Sequence, residues 1–191
     1  MANIWVSSDP HFGHANCLQF VTPDGTRMRP FSSVEEMDEF IIGRHNSVVR
    51  PQDHYYCLGD VAMHRHCVAI AKRLNGHKRL VLGNHDTHPI RFYLEAGFEK
   101  VYGSRLLDNM IFSHIPLHPE SVKKRWLANI HGHVHNNVGP LHFGPRYFNV
   151  SLEVINYTPV ALEDLKVMIQ RQQEEWQWQQ QEQATWTASP Y

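Results

Sequence analysis

Short apolar runs in this chain keep ending the same way, in aspartate, asparagine or histidine. IWVS (Ile4–Ser7) leads into Asp9 and His11, and HYYCL (54–58) leads through Gly59 into Asp60. RLVL (79–82) leads through Gly83 into Asn84, His85 and Asp86. MIFS (110–113) leads into His114, and the run from Asn129 leads into HGHVH (131–135). Runs of this length bounded by polar clusters suit strands. In an α/β fold the carboxyl ends of the strands form the rim where ligands bind. Glycines directly before Asp60, Asn84 and His133 permit a tight turn and a close approach of backbone there.

Helical patterns separate these runs. Ser33 followed by Glu36 fits a capping box, and Val34, Met37, Phe40, Ile41 and Val48 recur at helical spacing. Cys67, Val68, Ile70, Ala71 and Leu74 suit a helix that stops at Asn75-Gly76, and Pro89 opens another that Gly97 closes. Residues 98–102, 105–107, 129–135 and 147–155 read as further strands, 21–30 as an exposed turn and 162–169 as the last helix. The alternation predicts one α/β domain over residues 1–169. Beyond it the composition turns to Gln and Glu with Trp176, Trp178 and Trp186 scattered through it. Residues 170–191 therefore read as a frayed helix running into a disordered tail.

Composition narrows the function classes. A chain of 191 residues with 42% hydrophobic content can bury one core and is short for two domains. A net charge of -1 gives no broad basic field, so stable nucleic-acid binding is not expected. Lys123, Lys124 and Arg125 beside Trp126 could dock a strand, although a solvated helix face is the commoner case. Cys17, Cys57 and Cys67 show no paired spacing and read as reduced thiols. The start, MANIWVSSDPHFGH, lacks a signal-peptide pattern, and no stretch has the length of a membrane span. These features predict a cytoplasmic protein. The abnormal figure is 15 histidines, a residue that titrates near neutrality and ligates metals.

Asp, His and Asn together, without thiolate, suit Mn, Fe, Zn, Ni or Mg better than a structural cysteine-type zinc site. In an extended segment, residues two apart share a face, so Asp9 could converge with His11, and His133 with His135. Singly, each cluster has a plainer reading. Asp9 can cap a turn, Asp60 can sit in one, Asn84–Asp86 can form an ordinary polar loop, and His114 can be a hydrogen-bonded core histidine. Their order is what carries weight.

DPH, GD, GNHD, a lone His114 and GHVH, in that order, resemble the five-part motif of the calcineurin-like metallophosphoesterases. The closing FNVSLEVINYTPVALEDL is similar to that of small single-domain bacterial and phage phosphoesterases, with Ser151 where glycine is more common. The resemblance spans residues 1–169 and implies a two-sheet β sandwich flanked by helices, a four-layer αββα fold. It implies one divalent ion on Asp9, His11, Asp60 and His135, and a second on Asp60, Asn84, His114 and His133, with manganese the first choice. It also implies hydrolysis of a phosphomonoester or phosphodiester by in-line attack of metal-bound hydroxide, with His85 as general acid and Asp86 orienting it. A phosphorylated small molecule is the expected partner, most simply a nucleotide-like or cyclic phosphodiester. The alternatives are a nuclease, or a binding scaffold that has given up catalysis.

Three further residues are candidates for substrate contact. His14 lies near the first ligand pair, and Arg27 and Arg29 could clamp a phosphate from the polar loop. For the arginines, solvation is the commoner fate. His131 is the spare histidine of its cluster, and packing is its simplest role. Because a ligating histidine must be neutral, metal affinity is expected to fall below about pH 6. Oligomeric state is not legible in the sequence.

Overall fold

A computed structural model describes residues 2–22, 24–123, 125–139 and 142–187, with side chains to residue 181. Two sheets carry the chain. The first has the strand order β4-β3-β2-β1-β9, from β1 (Ile4–Ser7), β2 (His54–Cys57), β3 (His77–Val81), β4 (Phe98–Tyr102) and β9 (Val160–Ala161). Strands β1 to β4 run parallel and β9 antiparallel to β1. Parallel neighbours need crossovers, and helices supply them: α1 (Val34–Val48), α2 (Arg65–Val68) with a 3-10 continuation to Arg73, and α3 (Ile90–Glu95). The second sheet has the order β5-β6-β7-β8, from β5 (Arg105–Leu107), β6 (Met110–Phe112), β7 (Ala128–His131) and β8 (Tyr147–Asn149). Its last three strands are parallel, and the short α4 (Pro119–Val122) precedes β7. The last helix, α5, spans Leu162–Thr187.

Alternation along the first sheet produces two cores. Tyr55, Cys57 and Leu80 face Met37, Ile41, Ala71 and Tyr93 of the helical layer. Val6, Tyr56, Leu58 and Val81 face the other way, onto Met110, Phe112, Ala128 and Ile130 of the second sheet and Leu162, Leu165 and Ile169 of α5. The result is an α/β fold with two sheets flanked by helices. The N-terminus of α1 is capped as its sequence suggests: Ser33 Oγ accepts from the Glu36 amide at 3.1 Å. The Glu36 carboxylate closes on the Ser32 amide at 2.7 Å. The buried stripe of α1 is Met37, Asp38, Ile41, Ile42 and His45, not one through Phe40. Phe40 is 43% exposed and packs by its ring on Phe31 and Tyr157.

The two expected long extended segments end early. Residues 129–135 are strand only to His131, and 147–155 only to Asn149. Beyond these points the strands have reached the sheet edge, where the chain turns rather than adding ladder hydrogen bonds. At the edge an isolated parallel bridge joins Ser8 to Ser151. Ser8 donates to the Val150 carbonyl at 2.9 Å, and the Leu152 amide donates to that of Ser8 at 3.2 Å. The carboxyl ends of both parallel strand sets therefore meet at one place. Lys124 and the side chain of Trp186 lie outside the described residues. Lys123 pairs with Glu120 at 2.5 Å, and Lys123 and Arg125 are exposed. In α5, Gln172 donates to the carbonyls of Pro145 and Tyr147, and Gln173 to that of Leu127. Cys17, Cys57 and Cys67 are all free and buried. Among the described residues, no helix is long and apolar enough to cross a membrane.

His45 provides a test of the helical core. Its ring lies 4.4 Å from that of Tyr55, and its Nε2–H donates to the Asn75 carbonyl at 3.0 Å. Burial pushes its pKa down to about 4 from the usual 6.5. In the window between these values the unfolded chain takes a proton that the folded chain refuses. Stability present above pH 6.5 is therefore lost on acidification through that range. Urea unfolding at pH 7 and pH 5 should show the wild type losing about 2 kcal/mol more than His45→Gln.

Candidate metal centre

At the meeting of the strand ends, Asp9 (φ 61°), His11 (φ 49°), Asp60 (φ 54°), His133 (φ 70°) and His135 (φ 47°) all adopt the left-handed backbone conformation. Each such residue costs about 1 kcal/mol or more and persists only where its surroundings enforce it. This corrects the shared-face argument. Asp9 with His11, and His133 with His135, do not lie along a strand. They lie in turns past the strand ends, and the two histidines of GHVH go to different groups.

Those groups are two trios. Ligand atoms of Asp9, His11 and His135 lie within 4.8 Å of one another, as do those of Asp60, His114 and His133. Asp60 Oδ2 stands between them, 3.6 Å from His11 Nε2 and 3.3 Å from His114 Nε2. Asn84 joins the second trio through Oδ1, 2.9 Å from His114 Nε2. The His85 side chain, 41% exposed, overhangs the site with Nε2 4.0 Å from Asp60 Oδ2. His14 sits beside His11, and its Nδ1 lies 3.0 Å from Cys17 Sγ. His11, His14 and Cys17 make a third cluster of possible ligands. Burial lifts the Cys17 thiol to about 11, so it is protonated at neutral pH and donates to His14.

The donor set fits a divalent cation. Asp9 and Asp60 are 0% and 1% exposed. Among the described residues, only histidines come within ion-pair reach of their carboxylates. His11 is buried, and neither ring nitrogen has a hydrogen-bond partner there. Such orphaned polar atoms call for an explanation, and metal ligation is one. Burial and the Arg29 charge hold the His11 pKa well below the usual range, so the neutral ring keeps one nitrogen lone pair available to a cation. His114 Nδ1 donates to the Leu58 carbonyl at 2.7 Å, which turns Nε2 towards Asn84 Oδ1 and Asp60 Oδ2. Burial works against ionising Asp60, but its hydrogen bond with His114 and the surrounding charges prevail and bring it down to about 2.

The supporting residues differ from what the sequence suggests. Asp86 does not orient the His85 ring. Its carboxylate accepts from the amides of Gly83 (2.9 Å), Asp60 (2.8 Å) and Val61 (3.0 Å), tying the GNHD loop to the GD loop. The His85 amide in turn donates to Asp60 Oδ1 at 2.9 Å. Arg29 is neither solvated nor free to clamp a phosphate. It is 1% exposed, ion-paired with Glu153 at 2.5 Å, and it donates to the carbonyls of Asp9 and Pro10. Arg27 is exposed, in a small antiparallel bridge with Val21.

Glu153 escaped the sequence reading altogether. It binds His135 Nδ1 through Oε2 at 3.2 Å, and despite burial the Arg29 charge holds its carboxyl at about 2. Its trace in the sequence is one acid inside the apolar run VSLEVI. Ser151 Oγ donates to Asp9 Oδ2 at 2.9 Å, and Asn149 holds the His135 carbonyl at 2.6 Å. His131 is buried against the rings of Phe143 and Tyr147, with its Nδ1–H donating to the Gly132 carbonyl.

No family model matches the chain. The uncharacterized protein MJ1445 of Methanocaldococcus jannaschii is 32% identical over 187 residues, covering 90% of this chain and 93% of its own. The crystal structure of AQ665 from Aquifex aeolicus, a protein of unknown function, overlaps 88% of this chain and all of its own. At a TM-score of 0.65 and 24% identity, that likeness speaks to the fold alone. A nuclease MPE from Pseudomonas putida (19% identity, 69% of this chain, 61% of its own) overlaps with a TM-score of 0.46. An archaeal phosphodiesterase (16% identity, 77% of this chain, 82% of its own) reaches 0.44. Overlaps that slight bear on neither fold nor activity.

Gly132 tests the geometry. A Cβ there would stand 2.0 Å from Ser8 Oγ and 2.3 Å from Asp9 Oδ2, and only a shift of the carboxylate or the loop could make room. Calorimetric titration of Gly132→Ala with Mn2+ should show affinity reduced by roughly tenfold or more. Wild-type affinity would mean that the Asp9 carboxylate is not a ligand where it stands.

Proposed function

The chain belongs to the family of the M. jannaschii protein MJ1445, and within it we propose a dinuclear metal-dependent phosphoesterase of the calcineurin-like kind. The observation that carries this reading is the pair of Asp–His–His trios on either side of one oxygen, Asp60 Oδ2. Asp9, His11 and His135 would hold one ion, and His114, His133 and Asn84 the other, with Asp60 between them. Carboxylate, imidazole and amide oxygen suit Mn2+, with Fe, Zn, Ni and Mg as alternatives. When bound, such ions lower the pKa of coordinated water towards about 7 and neutralise charge that develops on phosphoryl oxygens. With two divalent ions and two buried aspartates, the site keeps net positive charge, which attracts a phosphate ester.

The chain's own residues do the rest. His85 is the general acid in this reading. Its ring stands at the open side of the site, and a proton on Nε2 would pass to the leaving oxygen of the ester. Asp86 acts at one remove, by holding the loop that carries His85 against the loop that carries Asp60. The favoured substrate is a small nucleotide-like or cyclic phosphodiester. A cavity of about 270 Å³ is lined by Val134, which lies between the two ligand histidines in the chain, and by Phe143 and Tyr147, but by none of the proposed ligands, so the substrate choice rests on the resemblance.

The test is turnover of phosphomonoesters and phosphodiesters across a panel of divalent ions. Metal-dependent hydrolysis is expected, and no hydrolysis with any ion would favour a binding role instead. His85→Asn should bind metal as the wild type does, yet lose about 10²–10⁴-fold on esters with poor leaving groups. An alkyl diester cleaved at the native rate by this variant would remove His85 from the mechanism.

A further inference from the structure

Arg29 and Glu153 lie 124 positions apart in the chain and meet at 2.5 Å, with side chains 1% and 3% exposed. Burying two charges costs several kcal/mol each, and their attraction does no more than repay this, so such a pair is weak evidence of a stabilising role. Its other contacts are more telling. Arg29 Nη1 donates to the Pro10 carbonyl at 2.7 Å and Nη2 to the Asp9 carbonyl. These carbonyls belong to the segment that holds Asp9 and His11 in their left-handed conformations. The remaining Glu153 oxygen, Oε2, accepts from His135 Nδ1. That bond places the ring proton on Nδ1 and leaves the Nε2 lone pair towards Asp9 Oδ1, 4.0 Å away.

One ion pair thus braces both the backbone between Asp9 and His11 and the ring of His135, the segments that carry a single trio. In the other trio, His114 Nδ1 rests on a neutral carbonyl, that of Leu58. A carboxylate behind an imidazole makes it a better ligand than a carbonyl does, and it fixes the ring's tautomer and orientation.

We propose that the buried Arg29–Glu153 pair is the positioning device of one ion site only, so that Asp9, His11 and His135 take their cation more tightly than Asp60, His114 and His133 take theirs. The inference rests on the two-ion reading above, and the experiment separates the two. Mn2+ binding is measured by equilibrium dialysis, with electron paramagnetic resonance to tell coupled ion pairs from isolated ions. The variants are Glu153→Gln and the double variant Arg29→Met with Glu153→Gln, which leaves no lone buried charge. Thermal midpoints of the metal-free proteins report folding.

The wild type should bind two ions with unequal affinities and show a coupled signal. Glu153→Gln should weaken the tighter ion about 10–100-fold, and at two equivalents of metal, where the wild type is coupled, it should give the six-line signal of isolated Mn2+. The double variant should recover its thermal midpoint but not the lost affinity. Two ions bound with wild-type affinity by either variant would make the pair merely structural, and equal weakening of both ions would refute the one-site assignment. A wild type that binds no metal would instead overturn the phosphoesterase reading, and this inference with it.

Discussion

Two carboxylates buried side by side, Asp9 and Asp60, are the constraint on which this molecule turns. Charges removed from water need compensation, and among the described residues no lysine or arginine reaches either carboxylate. Some of it comes from backbone and hydroxyl donors. The His133 amide and Ser151 Oγ donate to Asp9, and the His85 amide donates to Asp60. The remaining neighbours are histidine nitrogens at 3.3–4.0 Å, a ring of ligand atoms that could hold a divalent cation.

The fold exists to bring these groups to one point. Parallel strands end on the same side of a sheet, so β1, β2 and β3 deliver Asp9, Asp60 and Asn84 together, and β6 and β7 deliver His114 and the GHVH loop. The Ser8–Ser151 bridge presses the two sets against each other. The backbone pays for convergence with five left-handed non-glycine residues. At Gly83 and Gly132, backbone passes so close to Asp60 and Asp9 that no side chain fits. Strain of this kind is what a rigid ligand cradle requires, because groups held in place lose no freedom when a ligand arrives.

Much of this was legible residue by residue. The Ser33 cap, the first six strand segments to within a residue or two, and the clustering of polar residues at strand ends follow from local patterns of polarity and turn chemistry. The errors share a cause. Residues 132–135 look extended because they continue the run from Asn129 with histidines two apart, and 150–155 because Val150, Leu152 and Val154 alternate, yet past the strand ends the chain turns. Arg29 looks solvated because it follows Pro, Asp-Gly and other loop residues. It is buried because Glu153, from the far end of the domain, comes to meet it.

By itself the sequence determined which side chains could form the site and that strand ends would carry them, because residue identity and hydrophobic periodicity are local properties. Only the tertiary structure showed the left-handed turns that bring the two ligand sets implied by the resemblance together at Asp60, that Asp86 binds backbone rather than His85, and that an arginine and a glutamate stand behind one trio. These are contacts between segments far apart in the chain. Their partners are chosen by the packing of one sheet on the other, which no stretch of sequence read alone contains.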